Sequence, residues 1–310
     1  YPTVDGTALR LHFSNRFNTE PTTITRATVA QYTEGSSVDP ATITDITFGG
    51  AESLTMEAGG EHYVSDDIPF SFEAGKEFSV SLYFADLTQN MTGHSNNGHY
   101  IKKYYSRGDH THSADIPLES WGENGPYCFL HTIDFATKAE DHVKAIVAFG
   151  DSITAQPWPD CLARRLATLG ITDRTIVRKG IGGNRIVDVY ARIKMDFINL
   201  QPDYASIYVG VNDTWHEITK GNGVDTAKFE KIYSMLIDEV LEACPGVKLM
   251  IIAPYVLEGI KTCDTEEIPD RWARFQKDVA EKAAAAKRIA EKYGLPLIEL
   301  QPAFEMLMVV

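Results

Sequence analysis

The sequence predicts two differently built parts: an all-β module of sandwich or jelly-roll type over residues 1–143, and an α/β domain with a parallel sheet over residues 144–310. Three observations predict this. The first part is filled by short alternating or β-branched runs separated by frequent turn residues. The second alternates continuous apolar runs with segments of helical period. Charge also changes at the boundary: 8 basic and 20 acidic residues precede position 144, against 21 and 23 from that position onward, within a formal net charge of −14.

In the first part, residues 8–13, 22–31, 43–48, 78–84 and 127–135 are rich in Thr, Val, Ile and aromatics and read as strands. Val4-Asp5-Gly6, Gly49-Gly50, Gly59-Gly60, Glu73-Ala74-Gly75 and Ser106-Arg107-Gly108-Asp109 supply the turns between and beyond them. Many short strands with frequent turns favour a sandwich or jelly roll.

From Val143 the period changes. Ala145-Ile146-Val147-Ala148-Phe149 is a continuous apolar run, the pattern of a strand buried on both faces. Residues 175–181, 204–211, 249–255 and 296–300 are further buried-strand candidates. Residues 158–169, 186–199, 226–243 and 270–293 read as helices, the last carrying Ala283-Ala284-Ala285-Ala286 among good helix formers. Strand-helix alternation implies right-handed crossovers with helices on both faces, and chemistry gathered beyond the carboxyl ends of the strands.

Composition excludes several classes. The acidic first part is a poor binder of phosphate backbones, so nucleic acid is not an expected partner. No apolar run approaches the ~18–20 residues of a membrane span. Cys128, Cys161, Cys244 and Cys263 form no CxxC pair, and His94, His99, His110 and His112 match no compact ligand spacing, so no metal is expected.

Three strand ends carry chemistry. The first buried strand runs into Gly150-Asp151-Ser152-Ile153, where a serine leads toward a helix and helix-start amides favour developing negative charge. The second runs into Gly180-Ile181-Gly182-Gly183-Asn184-Arg185. Its glycines allow close backbone approach and positive φ, but Arg185 stands where a dinucleotide fingerprint needs its last glycine. The third runs into Gly210-Val211-Asn212-Asp213, and an asparagine amide at such a place can donate to an oxyanion. Taken singly, these are a serine cap, a tight turn and a turn asparagine. Their order and shared placement make them specific.

With those segments the chain resembles the SGNH/GDSL hydrolases over residues 144–310. Gly150-Asp151-Ser152-Ile153 matches the first block, residues 180–184 the glycine block, and residues 210–213 the Gly-x-Asn-Asp block. The first part resembles the β-rich module that precedes this domain in some members, notably at Ser14-Asn15-Arg16-Phe17 and Gly108-Asp109-His110-Thr111. The resemblance implies a flavodoxin-like three-layer α/β/α domain. It also implies Ser152 as nucleophile, with the Ser152 and Gly183 N–H groups and the Asn212 amide as oxyanion donors. Asp151 and Asp213 would be supporting residues. No Gly-x-Ser-x-Gly elbow is present, which separates this chain from the α/β-hydrolase route to the same chemistry.

The family pattern then asks for an Asp-x-x-His pair after the last strand, and no histidine follows His216. His142 precedes the first buried strand and falls some 30 Å from Ser152 at ~3.3 Å per extended residue. Asp109-His110-Thr111-His112 has the literal spacing but sits in the β-rich part, where a polar loop is the simpler reading. The apolar run Phe304-Glu305-Met306-Leu307-Met308-Val309-Val310 reads as part of a packed element. The expectation is therefore that the domain lacks its C-terminal end here and that the Asp/His pair follows Val310, with His216 the weaker substitute.

The activity implied is carboxylic-ester hydrolysis through an acyl-serine, without a cofactor. Trp158 and Trp215 beside the candidate site and the acidic module favour an acylated carbohydrate substrate with acetyl release. A short-chain lipid or aryl ester is the alternative within the enzyme class. A carbohydrate-binding protein with an inactive hydrolase domain is the alternative outside it.

Overall fold

The structure, a computed structural model, describes residues 2–86, 91–93, 102–117, 120–122, 128–138, 142–256 and 270–307. The chain divides into two compact units, Tyr1–Val143 with Arg164–Thr175, and Lys144–Ala163 with Ile176–Val310. His94, His99 and Cys263 lie outside the described residues, as does Tyr127 of the fifth expected strand.

The first unit is antiparallel β. Its strands are β1 (Gly6–Phe13), β2 (Thr22–Ile24), β3 (Arg26–Gln31), β4 (Thr44–Asp45), β5 (Leu54–Met56), β6 (Tyr63–Val64), β7 (Ile68–Phe72), β8 (Phe78–Tyr83), β9 (Lys103–Tyr105), β10 (Ser120–Gly122) and β11 (Leu130–Ala136). β1 obeys the two-residue period: Leu9, Leu11 and Phe13 are buried, while Arg10 and His12 face Asp67 and Asp134 at 2.8 and 2.7 Å. It pairs with β11, β6 and β7, and β3 pairs with β4 and β8. Side chains from β1, β2, β3, β5 and β7 share one apolar core with Ile46 and Phe129.

The strand expected over 22–31 is two strands in different sheets. β2 pairs with β5, and the chain changes partner at Thr25, whose N–H reaches the Tyr83 carbonyl at 2.8 Å. The expected strand 43–48 contracts to β4; beyond it Ile46 is buried, and its N–H donates to the Ala27 carbonyl at 2.9 Å. β7 was hidden by Pro69, which removes a ladder donor; yet Ile68, Phe70 and Phe72 alternate into the core.

The chain from Lys144 onward forms β12 (Lys144–Gly150), α1 (Ser152–Ala155), α2 (Trp158–Thr168), β13 (Arg174–Gly180), α3 (Ile186–Ala191), α4 (Ile193–Asp196), β14 (Tyr204–Tyr208), α5 (Val211–Lys220), α6 (Thr226–Ala243), β15 (Lys248–Ile252), α7 (Arg271–Tyr293), β16 (Leu297–Ile298) and α8 (Gln301–Leu307). The sheet order is β13-β12-β14-β15-β16, with β13 and β16 at its edges. Numbered within the unit this is 2-1-3-4-5, the flavodoxin-like order. β14 pairs in parallel with β12 and β15, and β15 with β16. Helices flank the sheet. Val147, Phe149, Ile207 and Ile251 meet Ile186 and Val189 of α3, Phe229, Tyr233 and Leu236 of α6, and Ala285, Ala286 and Ile289 of α7.

The order reverses at β12, between β13 and β14, so the carboxyl ends of these three strands flank the switch point. Two expectations change around them. The strand read over 204–211 ends at Tyr208, and Val211 begins a ten-residue helix. The helix read over 186–199 is broken into α3, α4 and a 3-10 turn, Ile198–Leu200, with Arg192 at the first break. At the far end, Met306 of α8 is 72 % exposed rather than packed.

Candidate active site

Ser152 is the first residue of α1. Asp151 caps that turn: it is extended, and its Oδ1 accepts the Ile153 N–H at 2.9 Å. Glycine at 180 has a steric cause. A Cβ there would stand 2.2 Å from the Ala155 nitrogen and 2.5 Å from the Thr154 carbonyl carbon, so the backbone of α1 rests directly on it. The following segment folds back, with the Ile181 N–H donating to the Gly150 carbonyl at 3.2 Å and Gly183 at φ +77°.

Asn212 lies in the first turn of α5. Its Nδ2 donates to the Asn184 carbonyl at 3.1 Å and reaches Asp151 Oδ2 at 3.4 Å, a long contact. Thus one amide touches both the serine segment and the glycine segment. Asp213, next along, is fully buried and accepts the Ile186 N–H at the start of α3 with both carboxylate oxygens, at 3.0 and 3.2 Å. The three segments singled out in the sequence therefore meet.

Their electrostatics follow from burial. Asp151 is 1 % exposed, and desolvation, reinforced by the Asp213 charge, pushes its carboxyl up to about 7 against the Ile153 N–H and Arg192. Desolvation also pushes Asp213 up to about 7, opposed by the Ile186 N–H, Lys282 and Arg185. Lys282 of α7 is 3 % exposed, and burial lowers its pKa.

His216 stands one turn after Asn212, and its ring lies 3.8 Å from where a Gly183 Cβ would be. Burial, Lys220 and Arg185 hold it below the ordinary histidine value. Trp215 is engaged elsewhere, edge-to-face on Phe275 of α7 at 5.7 Å. In the first unit, Asp109 does not pair with His112: it binds Arg26 at 2.8 Å, while His112 meets Asp45 at 3.0 Å. Among the described residues no group of three or more His, Cys, Asp or Glu could hold a metal ion. No helix among them is long and apolar enough to cross a membrane.

Sequence reasoning passed over Lys282 and Arg192. Each sits on or beside a helix with ordinary amphipathic spacing, and what distinguishes them is a partner far away in the chain.

A parallel sheet in this order, with serine, glycine and asparagine segments at neighbouring carboxyl ends, defines a GDSL-type hydrolase domain. The chain belongs to the GDSL-like lipase/acylhydrolase family, whose family model matches residues 148–307. It is 33 % identical to an acetylxylan esterase from Geobacillus stearothermophilus over 112 residues, which is 34 % of this chain and 50 % of that protein. The chain thus spans about half the length of this relative. Similar solved structures include the acetyl xylan esterase AlAXEase, at 29 % identity over 52 % of this chain and 79 % of that one, with a TM-score of 0.45. Another is the lipase/acylhydrolase from Enterococcus faecalis, at 24 % identity over 53 % and 80 %, with a TM-score of 0.44.

Proposed function

We propose that this esterase/acylhydrolase family member cleaves carboxylic esters through an acyl intermediate on Ser152, and that its substrate is an acetylated carbohydrate. The observation that carries the mechanism is the Asn212 amide, within reach of both Asp151 and the Asn184 carbonyl. Ser152 Oγ attacks the ester carbonyl carbon, and the carbonyl oxygen takes up the negative charge. The Ser152 and Gly183 N–H groups and the second Asn212 N–H, the one on the long contact to Asp151, receive that charge. The hydroxyl proton passes to an imidazole and then to the departing alcohol. In the family pattern that imidazole belongs to an Asp-x-x-His pair after the last strand; His216 is the alternative on α5. Water then releases the acetate and restores the serine.

The substrate assignment draws on the likeness to an acetylxylan esterase over 112 residues. A serine-directed phosphonate should add mass at Ser152, and Ser152→Ala should lower acetyl release by roughly 10³-fold or more. Acetylated xylo-oligosaccharides should be preferred over nitrophenyl and short-chain lipid esters. Preference for the simple esters would move the substrate to that class. An unlabelled serine with full activity in the alanine variant would refute the mechanism.

A further inference from the structure

Arg192 stands where α3 ends and α4 begins, with backbone φ −109° and ψ 9°. Its side chain turns back under the strand ends and is largely buried. Nη2 donates to the Gly150 carbonyl at 2.6 Å, Nη1 to the Lys179 carbonyl at 3.1 Å, and Nε to Asn184 Oδ1 at 2.7 Å. Nη1 also meets Asp196 Oδ2 at 3.0 Å, and Cζ lies 4.5 Å from the centre of the Phe149 ring.

These acceptors fall on separate parts of the site. Gly150 is two residues before Ser152. Lys179 lies near the end of β13. Asn184 follows Gly183, and its own carbonyl holds the Asn212 amide at 3.1 Å. One planar cation therefore spans the serine and glycine segments directly, and reaches the asparagine segment through Asn184.

We propose that Arg192 is a positioning residue of the ester hydrolysis: it fixes the distance between the Ser152 hydroxyl and the oxyanion donors from Gly183 and Asn212. This rests on the reading of Ser152 as nucleophile. The chemistry of the side chain supports it. Burying a guanidinium costs desolvation, and an apolar residue would cover Phe149 without that cost. What the guanidinium adds is a rigid fork whose donors satisfy acceptors on different segments at once. A lysine ammonium is a compact point charge on a flexible stem and cannot reproduce that span. Shifts of about 1 Å in a reacting pair cost up to about 10²-fold in rate, so a change in the clamp should appear in the chemical step.

Arg192→Lys and Arg192→Ala, compared with the wild-type protein, test this through kcat and KM on an acetyl ester, the rate of Ser152 phosphonylation, and Tm. Arg192→Lys keeps the charge and should keep Tm within a few degrees. Its kcat and phosphonylation rate should both fall about 10–100-fold, with KM within about threefold. Arg192→Ala should fall further and regain at least about tenfold with millimolar ethylguanidinium but not with ethylammonium, since only the former restores the fork. An Arg192→Lys protein with wild-type kcat and wild-type phosphonylation overturns the inference. So does a loss of activity that follows only the loss of folded protein. A wild-type protein that is not phosphonylated at Ser152 overturns the nucleophile reading itself, and that outcome is distinct from both.

Discussion

Asn212 donates its side-chain amide to the backbone carbonyl of Asn184 at 3.1 Å, so the first turn of α5 and the residue after Gly183 are joined by a hydrogen bond. An amide fixed in this way needs no reorganisation when charge develops beside it. Asn212→Ala should lower kcat by about 10²–10³ with KM little changed, because the lost contact is made in the transition state. Steady-state kinetics decide the matter: a change confined to KM would make Asn212 a ground-state binding group.

Gly180→Ala tests the contact beneath the serine. The added methyl would meet backbone atoms of Thr154 and Ala155 at 2.5 and 2.2 Å, which no side-chain rotation relieves. Overpacking of this kind costs typically about 1–3 kcal/mol. The unfolding midpoint in urea should fall accordingly, and phosphonylation of Ser152 should slow as α1 is displaced. Wild-type values for both would show that α1 moves freely.

Asp213 gives a pH-dependent prediction. Its pKa is raised from 3.8 to about 7 in the folded protein. The native state therefore binds its proton more tightly than the unfolded chain, and this stabilising term is lost as pH rises from about 4 to about 7. Asn at 213 keeps an acceptor for the Ile186 N–H and stays neutral. Between pH 5 and 8 the stability of Asp213→Asn relative to wild type should shift in the variant's favour by about 1–3 kcal/mol. Chemical denaturation at the two pH values measures it, and a difference that does not vary with pH removes the argument.

His216 separates two proton acceptors. If the imidazole belongs to an Asp-x-x-His pair, His216→Ala in the protein as the cell makes it should keep kcat/KM within about tenfold of wild type at pH 8. A loss as deep as that of Ser152→Ala would assign the base to His216. Its pKa lies below the ordinary value, so the wild-type pH profile would then reach its plateau at a correspondingly lower pH.

The site was legible in the sequence where it depends on residue type at a strand end, and hidden where it depends on distance. Ser152, Gly183 and Asn212 each follow a recognisable strand candidate, so their placement at strand ends could be read directly. α5 was missed because its start carries no capping side chain. Gly210 is at φ +134° with no capping side chain, and Gly-Val-Asn-Asp reads as a turn. The break at Arg192 was missed because Ile-Val-Asp-Val-Tyr-Ala-Arg-Ile has unbroken helical spacing. The side chain at the break bonds a carbonyl 42 positions away, at Gly150. In the β part, strands of two or three residues carry too few side chains to show a period, whereas β1 with eight shows one clearly.

The two margins of the parallel sheet have different defences against unwanted pairing. β16 is only two residues long and offers a foreign strand little to extend. β13 has seven residues, enough to serve as a template, but its sequence ends Arg178-Lys179-Gly180. Arg178 is tied to Asp160 of α2 at 2.8 Å, and Lys179 faces Asp196 at 3.3 Å. Aligning another chain there would mean desolvating these cations or stripping their partners away. Replacing Arg178 and Lys179 with β-branched apolar residues would leave the strand compatible with its neighbour β12 while exposing an adhesive border, and aggregation on concentration would be the visible result.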